Sequence, residues 1–398
     1  MFTAGIRLHI KHICEDTELE SLFDQWNQLA GDIPFRRYEW LVTWWRHYRQ
    51  PNWKLFVIAA HDESGALIGV LPLYRSTSLL SGRVLRFLGS GEVCSDYLTL
   101  LAAESTHREV ATCIGNWLVN EAKNQWDLIE LIGLEVGDAT IGLFAECLVL
   151  HGYDVHFRPG ENCWRLRLPS TWDDFVASLS KSRRERVRKL RRRSFETGRV
   201  VNGTLEKQED FDRYFRRLVE LHQKRRNSLG ESGSFASQNF LTFHRDVMQQ
   251  MLANGLLRLL WTDLDGSPAA IEYALRGDDT IYFYQGGIEP LVSKEQPGWL
   301  STIASIHASI EQGFKYYDFM RGDEAYKASW GAVVRPATEL RVVAPRVAPR
   351  LRHLVWRTRK GLGQIRRAVK SGLSASLYRN DRAARRQFLV NHVANCRS

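Results

Sequence analysis

Two short acidic segments that end in glycine, Asp62-Glu-Ser-Gly65 and Asp263-Leu-Asp-Gly266, each lie between two runs of strand-forming residues. Glycine in such a bend can take positive φ and the acids suit an exposed turn, so each segment closes a hairpin. The first joins strands at 54–60 and 66–74, the second strands at 256–262 and 269–275. What surrounds the hairpins also recurs. The first is preceded by a strand pattern at 6–13 and helical periodicity at 17–30 and 38–48. It is followed by strands at 83–88 and 97–101, a helix at 107–123, a strand at 128–132, a helix at 139–150 and a strand at 153–157. The second half runs through a strand at 164–168, a helix at 172–179, a strand at 199–205 and helices at 209–226 and 237–253. After its hairpin come a strand at 280–284, a helix at 298–312 and strands at 316–319 and 340–343. Two α/β units with mixed sheets, spanning 1–165 and 166–344, fit this order better than one doubly wound sheet.

Charge separates two further segments from these units. The chain of 398 residues carries 55 Lys and Arg against 45 Asp and Glu, a net +10. From 345 to 398 there are 14 basic residues and one acid, Asp381, so the tail holds +13 and the first 344 residues sum to −3. Nine more basic residues fall between Lys181 and Arg193, opposed only by Glu185. A uniformly basic nucleic-acid binder is therefore excluded. With 44% hydrophobic residues the body is globular.

The cationic segment 181–195 reads as a helix at the start of the second unit. Three readings of it stand: a solvated face, a contact for an anionic acyl donor or substrate, and a grip on RNA. The tail spaces Leu351, Leu354, Val355, Leu362, Ile365, Val369 and Leu373 at mostly helical intervals among arginines. That is the pattern of an amphipathic helix on an anionic membrane surface, and equally of a solubilising tail. The six cysteines stand at least 16 positions apart, with no Cys/His spacing suited to zinc, so a reduced, metal-free interior is expected. No apolar leader or spanning stretch is visible in the sequence, which places the protein in the cytoplasm, with the tail able to rest on the inner face of the membrane.

Residues 265–330 carry the motifs that suggest a family. They read Asp265-Gly-Ser-Pro-Ala-Ala-Ile-Glu272, Tyr282-Phe-Tyr284-Gln-Gly-Gly287, Pro297-Gly298, and Tyr317-Asp318-Phe-Met-Arg321-Gly-Asp323-Glu-Ala-Tyr326-Lys327-Ala-Ser-Trp330. Together with Leu221-His222-Gln-Lys-Arg225-Arg226 and with Arg86-Phe-Leu-Gly89-Ser and Asp96-Tyr97 of the first half, they resemble the double-GNAT acyltransferases, the CelD-like and FemAB-like branch of that superfamily. The resemblance spans about residues 20–343 and implies two tandem GNAT-like domains followed by the basic helical tail. It also implies acyl transfer, with acetyl-CoA or another acyl-CoA as co-substrate and no metal. The acceptor would be an amine or hydroxyl on a small molecule or on a lipid- or sugar-linked, envelope or exopolysaccharide precursor.

Acyl transfer needs a base for the nucleophile, donors for the oxyanion and an acid for the leaving thiolate. Glu272, in an apolar strand, suits the base if buried, although strand alternation also permits it to face solvent. Tyr284 could serve as the acid or as sheet packing, and His222 as a base, as a holder of a substrate carboxylate or phosphate, or as a structural or exposed histidine. Asp318, the fourth catalytic candidate, ends a strand before a glycine turn, which puts Arg321, Asp323, Tyr326 and Lys327 at a sheet edge, either as ligand contacts or as a turn-closing set. With Arg225, these form the acceptor and anion contacts that the resemblance implies. At the place where GNAT enzymes hold the pyrophosphate of coenzyme A, this chain has Lys294-Glu-Gln-Pro-Gly298-Trp299, with one glycine and a proline that removes a donor. Two alternatives follow. One is a FemAB-like ligase using aminoacyl-tRNA, in which tRNA would be the nucleic-acid partner. The other is a catalytically silent GNAT-like adaptor for a membrane or polyanion.

Overall fold

The computed structural model describes residues 8–354. It contains β1 (His9–Ile13), β2 (Trp53–His61), β3 (Leu67–Ser78), β4 (Gly82–Phe87), β5 (Leu101–Ala102), β6 (Leu128–Glu135), β7 (Asp154–Pro159) and β8 (Cys163–Arg167). The second half adds β9 (Val200–Thr204), β10 (Leu257–Leu264), β11 (Ser267–Arg276), β12 (Thr280–Ile288), β13 (Tyr316–Arg321), β14 (Val333–Arg335) and β15 (Ala337–Val343). One sheet has the order β1-β2-β3-β4-β6-β15-β7, with β5 also on β3; the other, read from its far edge, is β9-β10-β11-β12-β13-β8-β14. The two orders correspond strand for strand.

In each sheet an antiparallel meander of four strands is followed by one parallel neighbour, β6 beside β4 and β13 beside β12. A parallel pair needs a crossover, here supplied by the helices His107–Asn120 and Pro297–Glu311. The loop at the second hairpin is Asp265-Gly266, both at positive φ, the backbone form that matches the twist of two paired strands.

After the parallel pair the halves exchange strands. β8 follows β7 in the chain but pairs between β13 and β14, whereas β15 follows β14 and pairs between β6 and β7. This corrects the expectation that residues 340–343 close the second unit: they lie in the first sheet. Alternation specifies a strand and its buried face but not which sheet receives it. The expected strand at 97–101 is also replaced. Only Leu101–Ala102 is extended, and Tyr97 sits at φ 62° in an irregular segment. Its near-continuous apolar run, Tyr97, Leu98, Leu100 and Leu101, is buried from several sides and so mimics a buried strand.

The halves share one hydrophobic core, which runs from Trp26, Trp40 and Trp44 of the first to Phe243, Met248 and Tyr273 of the second. Trp40 meets Phe243 edge-on with ring centroids 5.2 Å apart, where helix Tyr38–Tyr48 crosses helix Gln238–Ala253. A second cluster, including Leu300, Ile303, Ile306 and Tyr317, fills the space beneath helix Pro297–Glu311.

Candidate functional site

β12 and β13 pair over only three residues, Thr280 with Tyr316, Ile281 with Tyr317 and Tyr282 with Asp318, and then separate. Two local features pull them apart. Gly287 lets β12 press against helix Phe211–Ser228, where any Cβ would collide with the His222 backbone nitrogen. On the other side, β13 is interrupted between Asp318 and Arg321, with Met320 at φ 59°. The gap is a cleft of about 570 Å³ lined by both strands, the start of helix Pro297–Glu311 and the turn after β13. Glu92, Cys94 and Asp96 of the first half complete its wall.

Glu272 is buried in this lining. Its Oε1 accepts from Ser301 Oγ at 3.0 Å and its Oε2 from the Tyr317 hydroxyl at 3.0 Å. The network continues from Tyr317 to Ser305 at 3.2 Å, and Arg258 donates to the Ser305 carbonyl at 2.8 Å and to Ser309 Oγ at 2.6 Å. An ionised carboxylate has about four lone-pair sites, so two remain for a ligand. The solvent-facing alternative for Glu272 is thereby excluded.

Tyr284 lines the cleft, but its hydroxyl donates to the Val93 carbonyl at 2.7 Å and meets His244 Nε2 at 3.1 Å. Burial holds the Tyr284 phenol well above its ordinary pKa and the His244 imidazole well below its own. His222 lies behind the cleft, with Nδ1 3.1 Å from Gln223 Oε1 and Phe235 edge-on; burial lowers its pKa and keeps it neutral near pH 7.

Asp318 lies off the cleft, at the junction of the halves. It accepts from the Tyr97 hydroxyl at 2.6 Å, Arg165 Nε at 2.9 Å and Met320 N at 2.8 Å. Arg321 likewise reaches into the first half, donating to Asp96 Oδ1 at 2.6 Å and to the Ser95 carbonyl at 3.1 Å. For both aspartates burial and pairing act in opposite directions; burial prevails and raises their pKa values.

Lys327 is buried, with Nζ donating to the carbonyls of Met320 at 3.1 Å, Arg321 at 2.6 Å and Gly322 at 3.0 Å and pairing with Glu324 at 2.8 Å. It ties down the turn after β13. Asp323 accepts from Trp164 Nε1 at 3.0 Å and stands apart from the cleft. Tyr326 is part of the cleft wall, and burial, followed by the charges of Glu324 and Glu272, raises its phenol pKa. Arg225 also lines the cleft, with no carboxylate within 4 Å among the described residues.

Gly298 and Trp299 open helix Pro297–Glu311 at the cleft, while Lys294 is exposed on the preceding turn. The N–H groups of Trp299 and Leu300 fold back on the Gln296 carbonyl, at 2.9 and 3.2 Å, and Pro297 has none. What surrounds this helix start is cationic. Arg183 and Arg186 from helix Lys181–Leu190 lie 4.9 and 4.1 Å from the Trp299 ring centroid, and Arg186 Nε donates to Gln296 Oε1 at 2.8 Å. The basic helix thus stands at one mouth of the cleft. Glu92, Cys94 and Ser301 were not among the residues expected at the site, and Asp96 stood only in a motif with no site role. The Ser301 hydroxyl follows from a polar residue one helical turn past Pro297; Glu92 and Cys94 have no local signal.

Residues 181–328 match the family model described as an acetyltransferase (GNAT) domain. No curated protein matches the chain. Among solved structures the chain is similar to FemX, with a TM-score of 0.58 at 12% identity over 83% of this chain and 96% of that one. It is also similar to a conserved protein of unknown function from Bacteroides thetaiotaomicron, with a TM-score of 0.55 at 10% identity over 84% and 100% of the two chains. L-PGS from Bacillus licheniformis superposes with a TM-score of 0.50 at 13% identity over 86% and 96%. At such identities the likeness is one of fold. Residues 181–328 are thus similar to a GNAT acetyltransferase domain, and the chain as a whole shares its two-unit fold with FemX.

Proposed function

We propose that this protein transfers an acyl group, acetyl in the simplest case, from acyl-CoA to an amine or hydroxyl of a sugar-containing or cell-envelope acceptor, and that it works in the cytoplasm. The observation that carries this reading is the separation of β12 from β13 above a buried carboxylate, Glu272. Beyond Tyr282 the β12 edge is unpaired on the β13 side, which leaves backbone groups for an extended, amide-bearing donor arm and for a developing oxyanion. Gly298 has only Ile288 Cγ2, at 4.0 Å from a Cβ position, beside it, so an anionic group fits at this helix start. Arg183 and Arg186 would supply most of the charge there, since the proline and the folded-back N–H groups leave few backbone donors.

In the reaction the acceptor nitrogen or oxygen forms a bond to the thioester carbonyl carbon and the C–S bond breaks. Glu272 takes the proton of the nucleophile through a lone pair not used by Ser301 or Tyr317. The Tyr326 hydroxyl, on the cleft wall and protonated at neutral pH as a phenol ordinarily is, supplies a proton to the leaving thiolate. Arg225 orients an anionic part of the acceptor.

Titration calorimetry with CoA, acetyl-CoA and aminoacyl-tRNA tests this reading. Micromolar binding of CoA and acetyl-CoA with no binding of tRNA is expected. Binding of tRNA alone would replace it with the aminoacyl-tRNA ligase, and binding of neither would leave the silent adaptor.

A further inference from the structure

The strand register places five chain ends of the first sheet along one edge. Ser78 of β3 pairs with Gly82 of β4, Val84 with Leu128 of β6, and Val343 of β15 with both Leu128 and Asp154 of β7. Large apolar side chains project from this edge. Leu79 and Leu80, at the tip of the β3–β4 hairpin, are 97% and 82% exposed, and Leu150, just before β7, is 79% exposed. The helical stretch 347–354 begins beside them and exposes Val347, Leu351 and Leu354, spaced four and three residues apart on one helix face.

Ion pairs hold that stretch against the hairpin. Asp127 accepts from Arg83 Nη2 at 3.0 Å and Arg346 Nη2 at 2.6 Å, and Arg352 Nη1 lies 3.7 Å away. Arg350 Nε is 3.0 Å from Asp154. A Cβ on Gly82 would stand 2.5 Å from Arg352 Nη1, so the hairpin and the C-terminal stretch are in direct contact. The apolar edge is therefore rimmed by arginines, and the sequence from 355 to 398 adds eleven Lys and Arg with one acid.

We propose that this edge of the first sheet is a docking face for an anionic lipid bilayer, with Leu79, Leu80 and Leu150 entering the interface and the arginines on the headgroups. Exposed apolar clusters of this kind mark interaction sites, and anionic lipid complements the surrounding positive charge. A second copy of the chain is disfavoured as the occupant, because an isologous contact would place two tails of +13 side by side. The geometry sets the cleft away from the lipid. Its wall at 92–96 follows the opposite end of β4, about 20 Å along a strand of six residues. A docked molecule would reach acceptor groups that stand clear of the bilayer.

Co-sedimentation of the full chain with vesicles tests the proposal without any acyl donor. Binding to vesicles containing one-third phosphatidylglycerol is expected, with none to pure phosphatidylcholine. The double substitution Leu79→Ser/Leu80→Ser should raise the lipid concentration for half-maximal binding at least about tenfold while leaving the melting temperature unchanged, since both side chains face solvent. Undiminished binding of that variant overturns the docking face. So does absence of vesicle binding together with a dimer, seen by sedimentation velocity, that the same substitution dissociates.

Discussion

The two sheets have the same strand order and the same parallel pair, yet one gap is filled and the other is open. In the first half β4 and β6 pair through Val84–Leu128, Leu85–Ile129 and Arg86–Glu130 and then part, as β12 and β13 do. There the chain itself fills the space. Segment 88–98 turns into the gap, with Leu98 N donating to the Gly133 carbonyl at 3.1 Å and Ser95 Oγ bonding to the Gly89 carbonyl at 2.7 Å and to Trp40 Nε1 at 2.8 Å. The far side of that plug, through Glu92, Cys94 and Asp96, is a wall of the second-half cleft. A duplicated fold has thus been divided in labour: one splayed pair holds a structural insert and the other remains available to ligands.

The largest effect expected from this division is on Glu272. Glu272→Gln keeps the shape and one acceptor but removes the base, so turnover at saturating donor should fall by roughly 10²–10⁴, the usual contribution of general acid–base catalysis. CoA affinity by calorimetry should not change. Full turnover would move the chemistry elsewhere and undo the comparison.

A matched pair of glycine substitutions comes next. Gly133 sits at φ 78°, and a Cβ there would lie 2.6 Å from the Ser95 carbonyl oxygen. Gly133→Ala should cost about 2–4 kcal/mol in denaturant unfolding, from the positive φ and the backbone clash. Gly298→Ala, at the open gap, should leave stability within about 0.5 kcal/mol and weaken CoA binding several-fold. Equal destabilisation by both would mean that the second gap is as filled as the first.

The smallest effect concerns pH. Burial depresses the pKa of His244, so the folded state holds it neutral while the unfolded chain takes up its proton near pH 6.5. Its contribution to stability is present above about pH 6.5 and is lost as pH falls below that value. His244→Gln, which retains a donor toward Tyr284, should flatten the decline of melting temperature between about pH 6.5 and 5, even if its absolute stability is lower.

How much of this was legible in the sequence differs from element to element. Both hairpins, the helix at 298–312 and the basic helix were visible, because turn chemistry and periodicity are local properties. The motif 317–330 pointed to the right region, but its charged residues divide by contacts that no motif contains. Asp318 faces the first half, Arg321 pairs with the first half and Lys327 ties down its own turn while both also line the cleft, and Tyr326 forms part of the cleft wall. Glu272 was ambiguous because a central strand can be covered on both faces, and the helix that covers it begins 25 residues later.

By itself the sequence determined that the chain forms two similar α/β units, that the body is slightly acidic, and that its positive charge is confined to a helix and a tail. Those follow from short-range periodicity and from counting. Only the tertiary structure decided that β8 and β15 change places, that segment 88–98 closes one gap, and that its outer side helps to build the other. Each depends on pairing between residues far apart in the chain, where the free energy is fixed by which surfaces meet and not by the pattern of any one segment.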